Sequence, residues 1–381
     1  MKITAVSADC YSVPVKLPLL DEPSVQTVVI TRVETDRDLV GYGLAGAPGM
    51  AIATREFINQ QLAPAVIGMD PRRHEKVWAY LLEKFNRRAL GGVWSMAVSA
   101  FDLALWDLKG KQHDVSVSEF LGGRFEAVPS YVTFGVPEYS REQLVQAARI
   151  MVEQGHKTLK MVVAVPAKGA DTGPSGASRA RAMWEQAEED AERVRLVREE
   201  IGPGIGLMLD ANCLFTLAEA KHLVSLVEPY NIKWIEEPIR RNDPLAMAEL
   251  RQHTNIPIAA GQNIGSVWNH RELIVNRAVD IPQPNVCHVG GLTEALRVAN
   301  LAQAFNLDIG HGGRWPYHNV HLHGAVPNGG FIEFHLAAWE TMNVLFENVP
   351  RNKDGYVPVP QEPGFGFEPR KEALDEYRVP R

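Results

Sequence analysis

The sequence reads as an α/β protein: a (β/α)8 barrel joined to an N-terminal α+β capping domain, with a C-terminal tail that packs back on the cap. Three observations predict this. The first part of the chain opens with strand-like runs and then turns helical, whereas residues 128–333 alternate short apolar runs with amphipathic helices. Three of those runs end in oxygen-bearing side chains, Asp210, Glu236 and Gln262, each 26 residues after the last. One βα unit has about this length, so the three side chains fall on equivalent ends of neighbouring strands.

The elements follow in order. Residues 3–13 and 25–33 alternate as strands do, and 51–110 carry helical patterning. Within it, 94–107 is apolar nearly all round, as in a helix buried on every side. Gly122-Gly123 marks the boundary. Barrel strands are expected at 130–134, 158–163, 206–209, 232–235, 256–259, 280–283, 307–310 and 331–333, with 320–326 readable as strand or helix. Helices are expected at 141–154, 184–200, 217–227, 244–252 and 292–305. The resulting division is 1–124 for the cap, 125–348 for the barrel and 349–381 for the tail. A doubly wound sheet is the structural alternative. The Gly-, Pro-, Ala- and Ser-rich segment 166–178 reads as a loop over the second barrel strand or as a solvated linker.

Composition narrows the function. With 381 residues, 45% of them hydrophobic and 22% charged, the chain has the ordinary balance of a soluble globular protein with a large core. A net charge of −7 and a pI of about 6.0 lack the basic footprint of a nucleic-acid binder. No apolar run approaches the roughly 20 residues that span a bilayer, and the first residues alternate like a strand instead of forming a signal peptide. Cys10, Cys213 and Cys287 are odd in number and far apart, which suggests neither a disulfide framework nor a thiolate metal site. The expectation is a cytoplasmic protein acting on small molecules.

Asp210, Glu236 and Gln262 together suit a hard cation such as Mg²⁺, which takes oxygen ligands; singly, each reads equally well as a helix cap. Arg314, Trp315 and His318 follow the seventh strand directly and are candidate pocket residues, although Trp315 also reads as a packing anchor. His321 and His323 would share a face if they lay on a strand, where a second metal site is conceivable; the plainer reading makes the histidines after His311 cleft-lining or core residues.

The chain resembles the enolase superfamily, specifically its mandelate racemase-like members, and is closest in pattern to acid-sugar, rhamnonate-type dehydratases. The likeness runs through residues 104–111, Leu121-Gly122-Gly123, Asp210-Ala211-Asn212, Trp234-Ile235-Glu236-Glu237-Pro238, Gly290-Gly291 and residues 363–368. It implies a Mg²⁺-assisted lyase (Mn²⁺ as a substitute) that removes a proton next to a carboxylate and eliminates water from a hydroxy acid. Asp210, Glu236 and Gln262 would be the metal ligands, Lys160 would neutralise the substrate carboxylate, His311 would be the acid/base and Glu333 would hydrogen-bond the substrate. Asn285 would orient the His311 ring, and Asn212, Arg314, Trp315, His318 and Leu19 would line the substrate pocket. Segments 17–25 and 43–51 would form lids, and the chain would be a homo-oligomer.

Three positions depart from the family pattern. Gln262 stands where a glutamate is usual, which lowers the charge of the ligand set and weakens the site's hold on the ion. Val162 stands where a second lysine would act as base, which leaves one catalytic face and favours elimination or one-base isomerisation over racemisation. Asn285 stands where an aspartate pairs with the histidine, which makes His311 a weaker base. The changes at 262 and 285 are isosteric losses of charge, consistent with natural divergence or with deliberate inactivation. An isomerase or cycloisomerase acting on a less polar carboxylate, and a barrel without turnover, are the alternatives.

Overall fold

The computed structural model describes residues 1–47, 49–85, 87–88, 90–165 and 176–380, so most of the loop expected at 166–178 lies outside the described residues. The cap begins with an antiparallel sheet of β1 (Ile3–Val15), β2 (Ser24–Thr35) and β3 (Val40–Gly46), paired in that order. Helix α1 (Ala51–Phe57) runs through a π-helical turn (Ile58–Leu62) into α2 (Ala63–Val66), followed by α3 (His74–Phe85), α4 (Val93–His113) and α5 (Val117–Phe120).

Helix α4 is apolar on all sides because it is enclosed on all sides; Trp94 to Leu108 are buried. Against β3 the approach is backbone to backbone. A Cβ on Gly43 would lie 2.0 Å from the Ala100 carbonyl oxygen, and one on Gly41 would lie 2.2 Å from that of Ala104. The two buried acids of α4 bind its neighbours. Asp102 accepts from the backbone N–H (3.0 Å) and hydroxyl (2.7 Å) of Thr293, and Asp107 accepts from the N–H groups of Tyr42 (2.9 Å) and Phe365 (3.1 Å). One helix thus joins the cap sheet, the barrel wall and the tail.

The barrel alternates β4 (Ala127–Gly135), α6 (Arg141–Glu153), β5 (Thr158–Val162), α7 (Gly176–Ile201), β6 (Gly206–Asp210), α8 (Leu217–Val227), β7 (Ile232–Glu236), α9 (Pro244–Arg251), β8 (Ile258–Ala260), α10 (Val267–Val275), β9 (Ile281–Pro282) and α11 (Leu292–Ala304). It continues with α12 (Pro316–Ala325), β10 (Ile332–His335) and α13 (Leu336–Leu345). The strands are parallel in the order β10-β4-β5-β6-β7-β8-β9. Ser140 and Thr216 start α6 and α8 with capping boxes.

The seventh strand differs from its expectation. Residues 307–310 form a single bridge, Ile309 to Gly329, and the curled sheet closes through four hydrogen bonds: Gly310 N–H to the Pro282 carbonyl (3.0 Å) on one side, and Ile309 N–H to the Asn328 carbonyl (2.9 Å), Gly330 N–H to the Ile309 carbonyl (3.0 Å) and His311 N–H to the Phe331 carbonyl (2.9 Å) on the other. The neighbouring strand ends in Pro282 and Pro284, which carry no N–H to donate, so no ladder can form there. Residues 320–325, readable either way from sequence, are helical. In the tail, β11 (Tyr356–Pro358) pairs antiparallel with the start of β4 on the barrel wall. Beyond it Gly364 and Phe365 reach α4 and α5, and after α14 (Lys371–Tyr377) Val379 donates to Cys10 of β1. Among the described residues no helix is long and apolar enough to cross a membrane.

The close approach of β3 to α4 yields a stability prediction. Gly43→Ala should destabilise the chain by about 1–3 kcal/mol, the usual cost of overpacking, read as a lowered urea midpoint. An unchanged midpoint would show that the two backbones can separate freely.

Candidate active site

Lys160 sits in the middle of β5 and is fully buried, with its Nζ 2.6 Å from Glu236 Oε1, 3.0 Å from Asp210 Oδ2 and 3.1 Å from Glu333 Oε1. Four strands, β5, β6, β7 and β10, therefore converge on one ammonium. Burial alone would lower its pKa, but Asp210, Glu236 and Glu333 hold it well above the usual lysine range. Burial, only partly offset by Lys160, pushes Glu236 above the carboxylate range. Glu333 moves the other way: burial raises it, but Lys160, His335, His311 and the Thr133 hydroxyl together outweigh burial and keep it well below its ordinary value.

The remaining lone pairs are met by neutral donors. Gln283 Nε2 donates to Glu236 Oε2 (2.8 Å), Thr133 donates its hydroxyl to Glu333, and the Arg314 N–H donates to Glu333 Oε2 (2.7 Å). Tyr131, whose ring lies under the Lys160 ammonium, donates to the His311 carbonyl (2.6 Å).

Gln262, after β8, is buried and donates Nε2 to Glu237 Oε2 (2.8 Å). Its carbonyl oxygen faces Gly312, where the packing leaves no room for a side chain. A Cβ there would lie 2.8 Å from Gln262 Oε1 and 3.0 Å from both Glu236 Oε1 and Gln283 Nε2. Among the described residues no three of His, Cys, Asp and Glu converge as a metal cage.

His311 is fully buried with both ring nitrogens engaged by backbone. Nδ1 accepts from the Glu333 N–H (3.0 Å), so Nε2 carries the proton and donates to the Arg314 carbonyl (2.9 Å). Burial pushes the ring down to about 3. Asn285 does not reach it. Its amide N–H₂ donates to the carbonyls of Gly312 (2.8 Å), Gly313 (3.1 Å) and Arg314 (3.3 Å), and its oxygen accepts from Cys287 N–H and Asn319 Nδ2. The expected imidazole–amide pair is thus replaced by a support for the turn after strand seven.

The expected pocket residues separate. Asn212 is exposed at the mouth, with its N–H on Asp210 Oδ1 (3.0 Å). Arg314 bridges cap and barrel, its guanidinium donating to Gln26 Oε1 of β2 (2.7 Å). Trp315 turns away through a left-handed backbone (φ 62°) and packs in the cap–barrel core, where a Cβ on Gly46 would overlap its indole. His318 lies edge-on against Phe365 and Phe367 of the tail. Leu19 lines a cavity of about 630 Å³ with Phe334, Trp339, His156 and Arg351, on the outer face of β10 instead of the barrel mouth. His321 and His323, conceivable as a metal pair on a strand, lie on helix α12 and serve the backbone: His321 bonds Ser118 N–H and the Phe365 carbonyl, and His323 the Gly330 carbonyl. Tyr131, Thr133, Gln283, Glu237 and Gln26 complete the site without having been singled out from sequence.

The comparisons with known proteins agree with this geometry. Residues 2–122 match the mandelate racemase / muconate lactonizing enzyme N-terminal domain, and residues 143–373 match the enolase C-terminal domain-like family. The chain belongs to this family. A D-galactonate dehydratase family member, RspA, from Cellvibrio japonicus is 28% identical over 376 residues, covering 93% of this chain and 92% of that one. The crystal structure of the 3,6-anhydro-D-galactonate cycloisomerase from Zobellia galactanivorans superposes with a TM-score of 0.87 at 28% identity, over 100% of each chain. That of L-talarate dehydratase from a Polaromonas species, complexed with Mg and L-glucarate, gives 0.83 at 28% identity, over 99% of this chain and 97% of that one. Family membership and barrel architecture are thereby established together.

Burial also sets a pH effect. His318, pushed down to about 3 by burial, is neutral when folded but takes up a proton below about 6.5 once unfolded. Its contribution is complete above that pH and is lost as pH falls toward 3. His318→Phe keeps the ring and removes the proton uptake. Its stability relative to the parent should rise by about 2 kcal/mol between pH 7.5 and pH 5, measured by urea denaturation. A difference that stays constant with pH would mean that the ring is not buried as a neutral group.

Proposed function

We propose that the protein is a hydro-lyase that removes the proton next to a carboxylate and eliminates water from a hydroxy acid of the sugar-acid class, with Mg²⁺ as cofactor. The observation that carries this reading is the buried Lys160 ammonium held among Asp210, Glu236 and Glu333 at the strand ends. Three carboxylates face one ammonium, and the Gln262 carbonyl oxygen lies with Glu236 Oε1 beside Gly312. This donor set fits a small divalent cation, with Asp210, Glu236 and Gln262 as the residues to hold it. When bound, the ion supplies Lewis-acid stabilisation of the negative charge that develops on the substrate carboxylate.

The chain's own groups do the rest. Lys160 and Arg314 give the substrate carboxylate its cationic partners. Loss of the 2-proton moves its electron pair into a C1–C2 double bond, and the charge placed on the carboxylate oxygens faces the Lys160 ammonium. His311 presents Nε2–H, and in donating that proton to the 3-hydroxyl it allows the C3–O bond to break with water as the leaving group. To take the 2-proton first, the ring must move its own proton to Nδ1, giving up the bonds to the Glu333 N–H and the Arg314 carbonyl; the 2-proton then goes to Nε2, and the imidazolium so formed is the acid that protonates the 3-hydroxyl. Val162 offers no base on the opposite face. Gln26 on Arg314 and the hydrogen bonds of Tyr139 and Gln143 to the carbonyls of Pro18 and Leu19 support the first cap segment as a lid docked on the barrel.

A cycloisomerase is the second reading, favoured by the Zobellia relative's likeness over the full chain. Free Cys10, Cys213 and Cys287 support a cytoplasmic, reducing location, and a homo-oligomer is the assembly proposed from the family resemblance.

The test is product analysis with Mg²⁺ and a panel of sugar acids. A 2-keto-3-deoxy acid with the mass of substrate less water supports the lyase, a product of unchanged mass supports the isomerase, and no turnover of any acid leaves a disabled barrel. Lys160→Ala should lower kcat by roughly 10²–10³, as loss of a preorganised charge partner does. A variant as fast as the parent would remove Lys160 from the mechanism.

A further inference from the structure

Glu237 is the second acid of the Glu236-Glu237-Pro238 turn and lies outside the Lys160 cluster, yet it is 3% exposed. Both its oxygens accept from amides: Oε1 from Asn242 Nδ2 and Oε2 from Gln262 Nε2, each at 2.8 Å. Asn242, itself buried in the short turn after β7, fixes the carboxylate from one side, so its second oxygen is presented to Gln262 from the other.

An amide has two unlike ends. If its N–H₂ faces a carboxylate acceptor, its oxygen must face the opposite way. For Gln262 that opposite side is the Glu236 side of Gly312: a Cβ on residue 312 would lie 2.8 Å from its Oε1 and 3.0 Å from Glu236 Oε1, with Gln283 Nε2, which donates to Glu236 Oε2, also at 3.0 Å. Without an acceptor at 237 the amide is free to turn over and present N–H₂ on the Glu236 side, where it cannot ligate a cation. A carboxylate at position 262 would have no such problem, because its two oxygens are equivalent and either can serve.

We infer that Glu237 is a positioning residue for cation binding: it selects the rotamer of Gln262 that points the carbonyl oxygen at the metal site. This rests on the metal reading of Asp210, Glu236 and Gln262 given above. It makes the glutamine a competent oxygen ligand only in the company of its buried acidic neighbour.

The experiment is titration of metal-free protein with Mn²⁺, with the free ion read by electron paramagnetic resonance, so no substrate or turnover is needed. The variants are Glu237→Leu, which has no acceptor, and Glu237→Gln, which keeps one oxygen and guards against loss of folding in the first. Each is made in the parent and in Gln262→Glu. Affinity should fall about 10–100-fold in Glu237→Leu, the usual range for a residue that orients a metal ligand. It should fall less in Glu237→Gln, and in neither when residue 262 is changed to glutamate. Equal affinity of parent and Glu237→Leu, or the same fall in both backgrounds, overturns the inference and leaves the metal site standing. Absence of Mn²⁺ binding by the parent overturns the inference and the metal reading together. Binding with the expected pattern but no turnover of any acid upholds it while the reaction reading fails.

Discussion

The charge balance around the Lys160 ammonium governs the barrel mouth. One cation without solvent access holds β5, β6, β7 and β10 together through carboxylates 2.6–3.1 Å away. Desolvating so many charges costs several kcal/mol per ion unless each is paired and hydrogen-bonded. The neighbours can be understood as responses to that cost. Gln283 and the Arg314 N–H each give a donor to an oxygen that Lys160 leaves unmet, Thr133 adds a second donor to the Glu333 oxygen that Lys160 binds, and Tyr131 places its ring under the ammonium. Even so, one ammonium does not offset three carboxylates. A divalent cation beside Asp210 and Glu236 would supply the missing positive charge, which ties the demand for metal to the same interaction that fastens the strands together.

The cap depends on this mouth in turn. Helix α4 fixes the cap sheet to the barrel wall through Asp102 and Asp107, at a separation that only Gly41 and Gly43 permit. That rigid seat delivers Gln26 to Arg314, whose N–H binds Glu333, which binds Lys160. A polar chain therefore runs from a cap strand to the central ammonium, so the position of that strand and the electrostatics of the site are physically continuous.

Much of this was legible in the sequence, for physical reasons that differ by residue. Asp210, Glu236 and Gln262 announced themselves because charged or amide groups ending apolar runs at a constant interval have few structural explanations. Lys160 and Glu333 followed from the family resemblance. Tyr131, Thr133 and Gln283 gave no such signal, since a neutral polar or aromatic residue in a barrel strand is ordinary until its neighbour is known to be charged. The seventh strand was over-read because its apolar pattern is real while its partner strand is broken by prolines, a property of the neighbour and not of the segment. Trp315 and His318 were placed in the pocket by adjacency in sequence, and Leu19 by the lid that the family resemblance implies. The left-handed turn at Arg314 and Trp315 and the outward face of β10 send them to the cap, the tail and the outer wall.

The two departures from the family's charge pattern take on a different character once their hydrogen bonds are known. A change made only to delete charge leaves an amide whose N–H₂ group has no natural acceptor, and burying such a donor unpaired costs about 1–3 kcal/mol. Neither amide here is in that position. Gln262 gives its N–H₂ to the carboxylate of Glu237, and Asn285 gives its own to three successive carbonyls of the turn 312–314. A carboxylate at 285 would face those three carbonyls with no proton to share. The last of them, at Arg314, is the group that receives the His311 Nε2–H. The amide at 285 thus acts on the histidine through the backbone, where a carboxylate would act on its ring. The surroundings of both amides are built for donors, which is the mark of a site adapted to them and argues for divergence over inactivation.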